Sequence, residues 1–293
     1  MMMRRLIGAA VLVLMTLPGY AASVLSVESV LSPAWVERAN GQREPLSVGM
    51  DLNNKEKVHT GDGGRALLRM SEGSAFKLGE SAMLVVDDLL HRPGTKTGGV
   101  VSATLDVVRG AFRFTTGLLA KPTGQRDVRV KVNAVTAGIR GTDVWGKAEG
   151  SRDIVCLLEG RITVTHGAAQ FTMQEPNSFY VAPAVGPAQP PSAVSVAQVR
   201  EWSEETEIQA RSGAVRRGGT LSVTVAAANE EASATALQVR VRDSGFPADV
   251  ARIGAGASAR YEVRIGGLAD AVDANTLADR LRRMGFEQAR SAR

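Results

Sequence analysis

Apolar and polar positions follow two different spacings along this chain. Between residues 24 and 183, apolar residues alternate with polar ones in short runs separated by glycine-rich turns. The runs are Arg65 to Met70, Ser74 to Leu78, Met83 to Asp87, Leu105 to Val108, Phe112 to Thr115, Val128 to Val132, Val144 to Lys147, Ile154 to Leu158 and Ile162 to Thr165. A period of two predicts strands buried on one face. So many short strands at near-regular intervals, with almost no helical spacing between them, predict an all-β domain built as a solenoid, a barrel or a sandwich.

Beyond residue 220 the pattern is written twice. A step of 40 positions carries Leu221, Val223 and Val225 onto Tyr261, Val263 and Ile265, and Leu237, Arg240, Arg242, Gly245 and Phe246 onto Leu277, Arg280, Arg282, Gly285 and Phe286. Shared glycines, aromatics and apolar spacing in one register mark a duplicated supersecondary unit. Each copy opens with strand alternation and continues at i, i+3, i+7 helical spacing, through Ala234, Leu237 and Val241 in one and Ala274, Leu277 and Leu281 in the other. Asn229 and Asp270 suit helix N-caps, Gly245 and Gly285 suit helix stops, and Phe246 and Phe286 would start new strands. The order β-α-β-β-α-β predicts an α+β, ferredoxin-like unit with two helices on one face of an antiparallel sheet. Strand parity places Ser222, Thr224, Glu262 and Arg264 on the uncovered face and Tyr261 with the core residues Val263 and Ile265.

The domains read as 24–183 and 220–293, joined by residues 184–219. That connection begins with a Pro/Ala/Gly-rich linker and holds one amphipathic helix near Val194 to Ala210, which packs on the β domain through Trp202 or offers a partner surface. It ends in a flexible joint from Arg211 to Gly219. Ahead of them, Arg4 and Arg5, the apolar run Leu6 to Leu17 and the small residues near Ala21 read as a secretory signal peptide covering residues 1–21. Its apolar run is short for a membrane span. An exported protein is the expectation.

Charge and chemistry narrow the function classes. The formal charge of +5 falls to +3 without Arg4 and Arg5, and residues 220–293 carry ten Arg against nine Asp and Glu, so nucleic acid is not an expected partner. Cys156 is the single cysteine, set in the apolar run Ile154 to Leu158, and reads as a core residue. His59, His91 and His166 are dispersed, with no metal-ligand spacing and no nucleophile elbow, so no metal, cofactor or catalytic residue is expected and the chain reads as a non-enzyme. Gly61-Asp62-Gly63-Gly64 has neither the helix and lysine of a phosphate loop nor the alternating acids of a calcium loop, and reads as a tight hairpin turn. Arg140, between Gly138 and Gly141, reads as a structural arginine that anchors backbone carbonyls.

Two resemblances add to this reading. Residues 220–293, with Tyr261-Glu262-Val263-Arg264-Ile265-Gly266 as the third strand, resemble the SPOR domain, a bacterial module that binds peptidoglycan glycan strands stripped of stem peptides. The match departs at Glu262, and in the first strand Thr224 and Ala226 replace the family's Gln and Gly. The threonine-glycine turn at Thr60-Gly61, the Glu72-Gly73-Ser74 turn, Gly138-Ile139-Arg140-Gly141-Thr142-Asp143-Val144 and Leu158-Glu159-Gly160-Arg161-Ile162 together resemble the FecR domain over roughly residues 40–180. The first resemblance implies glycan contacts on the open sheet face through Ser222, Thr224, Glu262 and Arg264, with Tyr261 as a stacking candidate. An ordinary solvated face with cross-strand polar pairs fits the same residues. For an exported protein the expectation is then a periplasmic one whose peptidoglycan-binding tail localises a β scaffold to the cell wall. The alternative is an envelope signalling protein in which the FecR-like domain binds a protein partner and the tail only positions it.

Overall fold

The computed structural model describes residues 24–92, 100–117, 125–256 and 259–292; the signal segment read from the sequence lies outside them. Thirteen strands precede the connection: β1 (Leu25–Leu31), β2 (Ala34–Glu37), β3 (Arg43–Pro45), β4 (Lys57–Thr60), β5 (Arg65–Met70), β6 (Ala75–Leu78), β7 (Met83–Arg92), β8 (Val100–Thr115), β9 (Gln125–Val132), β10 (Val135–Ala148), β11 (Arg152–His166), β12 (Ala169–Met173) and β13 (Ser178–Pro183). The connection holds β14 (Ser192–Ala193), α1 (Val196–Thr206) and β15 (Val215–Arg216). Then come β16 (Leu221–Ala228), α2 (Glu231–Asp243), β17 (Asp249–Ile253), β18 (Arg260–Leu268), α3 (Ala271–Arg283) and β19 (Arg290–Ala292).

The first thirteen strands form a sandwich, one of the three architectures the strand pattern allowed for this domain. One sheet runs β1-β5-β6-β8-β10-β11-β13 and uses the C-terminal half of β8, the C-terminal half of β10 and the N-terminal half of β11. The other runs β3-β2-β4-β7-β8-β9-β10-β11-β12 and uses the opposite halves of the same strands. Three long strands therefore pass from one sheet to the other, as at the corners of orthogonally packed sheets. The bends sit at Gly110, Gly141 and Gly160, all with positive φ. A Cβ at Gly160 would overlap the Gly141 carbonyl, so this corner requires glycine twice over. The core between the sheets draws Val27, Leu68, Phe76, Phe112 and Val144 from one and Val58, Leu84, Leu105, Val130 and Ile162 from the other.

These corners explain the main departure from the sequence pattern. Leu105 to Val108 and Phe112 to Thr115 belong to one 16-residue strand, and Ile154 to Leu158 and Ile162 to Thr165 to one of 15 residues. Glycine interrupts the alternation at a bend as it does at a turn. Gly61 to Gly64 does form a turn, closed by a bond from Gly64 N to Gly61 O at 3.0 Å. It is not a hairpin: β4 pairs with β2 and β7, and β5 with β1 and β6, so the turn carries the chain between sheets.

The C-terminal unit has the strand order β19-β16-β18-β17, antiparallel throughout, with α2 and α3 on one face. This is the predicted α+β ferredoxin-like arrangement. Both helices end in a Schellman motif. Phe246 N donates to Val241 O and Gly245 N to Arg242 O; Phe286 N donates to Leu281 O and Gly285 N to Arg282 O. Gly245 and Gly285 have φ of +83 and +93. Phe246 and Phe286 do not begin strands; they are the buried plugs that accompany this motif, and β17 and β19 start three and four residues later. Asp270 caps α3 through bonds from Val272 N and Asp273 N. At α2 the cap position falls on Glu230, one residue after Asn229, with no side-chain bond.

The two units are joined by more than covalent chain. Helix α1 packs on the sandwich, with Trp202 stacked on buried Trp145 at 4.7 Å between ring centres. The segment read as a flexible joint is a structural strut. Val215 and Arg216 of β15 pair with Val30 and Ser29 of β1, and Val215 pairs with Leu268 of β18, so the strand links a sandwich sheet to the C-terminal sheet. Gly213 N donates to the buried Asp273 carboxylate at 2.8 Å, and Ser29 Oγ donates to Val215 O at 2.9 Å. The C-terminal ends of α2 and α3 grip two turns of the sandwich. Ala34 N donates to Gly245 O at 3.1 Å, Arg242 faces Glu44 at 3.6 Å, and Arg280 Nη2 donates to Asp62 O at 3.4 Å. Composition that looked like a linker, rich in Arg, Gly and Ser, suits a tight path between two surfaces equally well.

Candidate functional site

The helix-free face of the C-terminal sheet brings four of the five predicted residues together. Register sets Thr224 opposite Arg264, Ser222 opposite Gly266 and Ala227 opposite Glu262. Plain alternation keeps Val223 and Val225 in the core while Thr224 faces out, and a β-bulge at Val225 shifts the register beyond it, setting Ala226 opposite Val263. Thr224 Oγ1 donates to Glu262 Oε2 at 3.2 Å, and Arg264 Nε donates to the same oxygen at 2.7 Å. Burial raises the Glu262 pKa, but the Arg264 guanidinium, Thr224 and the nearby Arg290 outweigh it, and the carboxyl sits below its ordinary value. The acid at Glu262, unexpected from the family pattern, thus has a local role: it orients Arg264.

Thr224 and Tyr261 take places different from those of direct ligand contacts. Thr224 is only 2% exposed and its hydroxyl is committed to Glu262, so it supports the face from below. Tyr261 packs against the core shared with the helices, on the side of Val263 and Ile265, because it is in the strand phase of those residues. Ser222 and Arg264 are half-buried on the face. The structure adds two residues that strand parity alone did not supply. Arg290 pairs with Thr224 and Asp249 with Arg264, each from an outer strand and each exposed. The resulting surface is a shallow polar strip with Arg264 and Arg290 as cations, Glu262 and Asp249 as anions, and Ser222 as a small hydroxyl. Such a strip can exchange hydrogen bonds with hydroxyl and amide groups of an extended neutral ligand; charge-assisted bonds are the strong ones.

Elsewhere the candidate chemistry stays dispersed. His59 faces Glu37 at 3.6 Å on β4, where burial first and the Arg43 charge second push its pKa down. His166 Nδ1 contacts the Tyr180 hydroxyl at 2.8 Å. Cys156 is buried and its thiol is pushed up to about 12 by burial, so it holds its proton. Among the described residues no three His, Cys, Asp or Glu side chains converge on a metal-sized site, and no helix is long and apolar enough to cross a membrane. A cleft of about 1200 Å³ opens where β8 bends, lined by His59, Arg65, Arg109, Lys147 and Glu205 among others. Its charges are tied back to the protein: Lys147 to Glu205 at 2.9 Å, Arg65 to the Glu205 carbonyl at 3.0 Å and Arg109 to the Ser81 carbonyl at 2.8 Å.

Comparison with known proteins places both halves. Residues 56–163 match the FecR protein family model and residues 218–290 the SPOR domain model. No curated protein matches the chain. Two crystal structures of a proposed anti-sigma factor from Parabacteroides distasonis ATCC 8503, at 2.50 and 1.65 Å resolution, align with 65% and 69% of this chain and 75% and 96% of their own, at 13% and 12% identity. Their TM-scores are 0.38 and 0.39. The chain therefore combines a FecR domain, folded as a β-sandwich, with a C-terminal SPOR domain.

Proposed function

We propose that this is a periplasmic, non-enzymatic protein that binds peptidoglycan glycan strands through the helix-free face of its SPOR domain and holds a FecR sandwich at the cell wall. The observation that carries the reading is the set of Ser222, Glu262, Arg264 and Arg290 on the uncovered face of a SPOR sheet. Glycan strands are rich in hydroxyl and N-acetyl groups, and removal of the stem peptide frees their lactyl carboxylates, which suits a narrow strip that offers Arg264 and Arg290 together with one hydroxyl. Thr224 and Glu262 are positioning residues in this scheme, and Arg264 and Ser222 make the contacts.

Sedimentation of the purified protein with sacculi, with and without enzymatic removal of stem peptides, tests it. The protein is expected in the pellet, more so with stripped strands. Arg264→Ala is expected to weaken binding by about 1.5–3 kcal/mol, the range for a charge-assisted hydrogen bond. Failure of the wild-type protein to sediment with either preparation would remove the glycan reading.

A further inference from the structure

The corner where β10 and β11 change sheets holds an arrangement that folding does not call for. Arg140 and Arg161 stand directly opposite each other in the antiparallel pair, immediately before Gly141 and immediately after Gly160. Like charges in directly opposed positions destabilise a sheet. Both side chains are exposed, and neither makes a hydrogen bond or an ion pair with any described residue. Other arginines of the sandwich are held: Arg113 forks onto Asp143 at 2.9 and 2.6 Å, Arg69 onto Glu28, Arg129 onto Asp127 and Arg152 onto Glu149. Among the described residues no carbonyl takes up the anchoring role expected of Arg140, whose side chain is exposed at the strand bend.

The two arginines border a depression of about 570 Å³ whose other walls are Gly141, Gly160, Gln174 and Glu175. Its shape is fixed by the corner, since Gly141 and Gly160 hold positive φ and are in close backbone contact. Glu175 on its wall and exposed Glu159, two residues from Arg161, oppose a phosphate or a polyanion. A single carboxylate fits this balance, because two guanidinium forks can chelate it while its one charge does not crowd the neighbouring acids.

We propose that Arg140 and Arg161 form a carboxylate-binding site on the FecR sandwich that takes a single Asp or Glu side chain of a partner protein. The site is independent of the glycan face, and its test is chosen to stay so. Fluorescence anisotropy of the full chain with a labelled Gly/Ser peptide carrying one Glu is expected to show saturable binding. The same peptide with Gln in place of Glu should not bind. Arg140→Gln or Arg161→Gln should weaken the Glu peptide about tenfold or more while leaving sacculus binding unchanged. Arg161→Glu should abolish peptide binding and raise the melting temperature by about 1–4 °C, because it turns a repulsive cross-strand pair into an attractive one. The proposal is overturned if the wild type does not bind the Glu peptide, if the Arg140→Gln/Arg161→Gln double variant binds it as the wild type does, or if inorganic phosphate competes as well as acetate. A fall in melting temperature for both Arg161→Glu and Arg161→Gln would also overturn it, by showing that the pair serves the fold.

Discussion

Gly245 and Gly285 occupy one position of a duplicated unit, and replacing each by alanine separates a local cost from an interface cost. Both residues are the left-handed stop of a Schellman motif, with φ of +83 and +93, and both follow a helix of 13 residues. A Cβ at Gly285 would meet nothing within 4 Å, whereas at Gly245 it would lie 2.7 Å from Trp35 Cζ2 and 2.8 Å from Pro33 Cβ. Gly285→Ala should therefore cost only the left-handed strain, about 1 kcal/mol. Gly245→Ala carries the same strain and adds an overlap against two side chains that cannot easily retreat. Pro33 is fixed to its backbone, and the Trp35 ring has the Arg43 guanidinium 4.3 Å from its centroid. Overpacking of this kind costs about 1–3 kcal/mol more.

Urea unfolding followed by far-UV circular dichroism should thus show Gly245→Ala less stable than Gly285→Ala by about 2 kcal/mol, or about 4–8 °C in melting temperature. Amide exchange at Ala34, whose N–H bonds Gly245 O, should speed up in the first variant and not in the second. Trimming Trp35 to Leu should recover part of the loss in the Gly245→Ala background alone, a coupling that a double-mutant cycle reads directly. Equal costs for the two glycines, with no coupling to Trp35, would refute the claim that the SPOR helices are packed on the sandwich.

Three further outcomes follow from the same contacts. Trp202→Ala should cost about 3 kcal/mol, the lower end for a tryptophan because Trp202 is half-buried, and should expose the amides of α1 to exchange. Gly160→Ala should cost more than Gly285→Ala despite a similar φ, since its Cβ would overlap the Gly141 carbonyl, and comparison of the two melting temperatures checks it. Because the folded Glu262 pKa lies below its ordinary 4.5, Glu262 stabilises the fold above that value and loses its contribution as pH falls through the folded pKa. A Glu262→Gln variant should therefore show a flatter stability profile between about pH 6 and pH 3 than the wild type.

How much of this was legible depends on whether a pattern is local. The β-α-β-β-α-β order, the helix stops and the apolar phase of β16 and β18 all follow from spacing within one element, and the structure reproduces them. Glycine was ambiguous: at Gly110, Gly141 and Gly160 it bends a continuing strand, and only the partner strands on either side reveal that. The duplication itself has a limit. Ala248 precedes β17 and Ala289 precedes β19, both buried, so the second copy holds one more residue between its phenylalanine and its last strand. Carrying the 40-residue register through to the end would set Arg290 in the place of Val250, which packs toward the core. The extra residue reverses its face and puts it beside Thr224, which is why Arg290 was missed. Thr224 lies on the face that parity gives and is covered there, because parity gives direction while cover depends on the longer side chains of Glu262 and Arg264.

The strut formed by β15 bears on what either binding event can do. A flexible linker would let a glycan-bound SPOR domain leave the sandwich free to reorient, and occupancy at one domain would then only raise the local concentration of the other. Here Val215 is paired to both units, Gly213 is bonded to Asp273 of α3, and Arg280 reaches Asp62 across the junction. Moving one domain against the other breaks these bonds and uncovers Val48, which packs against both cores. The helix-free face of the SPOR sheet and the Arg140–Arg161 corner are therefore held at a fixed spacing and angle. An acidic partner bound at that corner would meet the wall in one orientation, and inserting flexible residues beside Gly213 should loosen that orientation without weakening either contact measured alone.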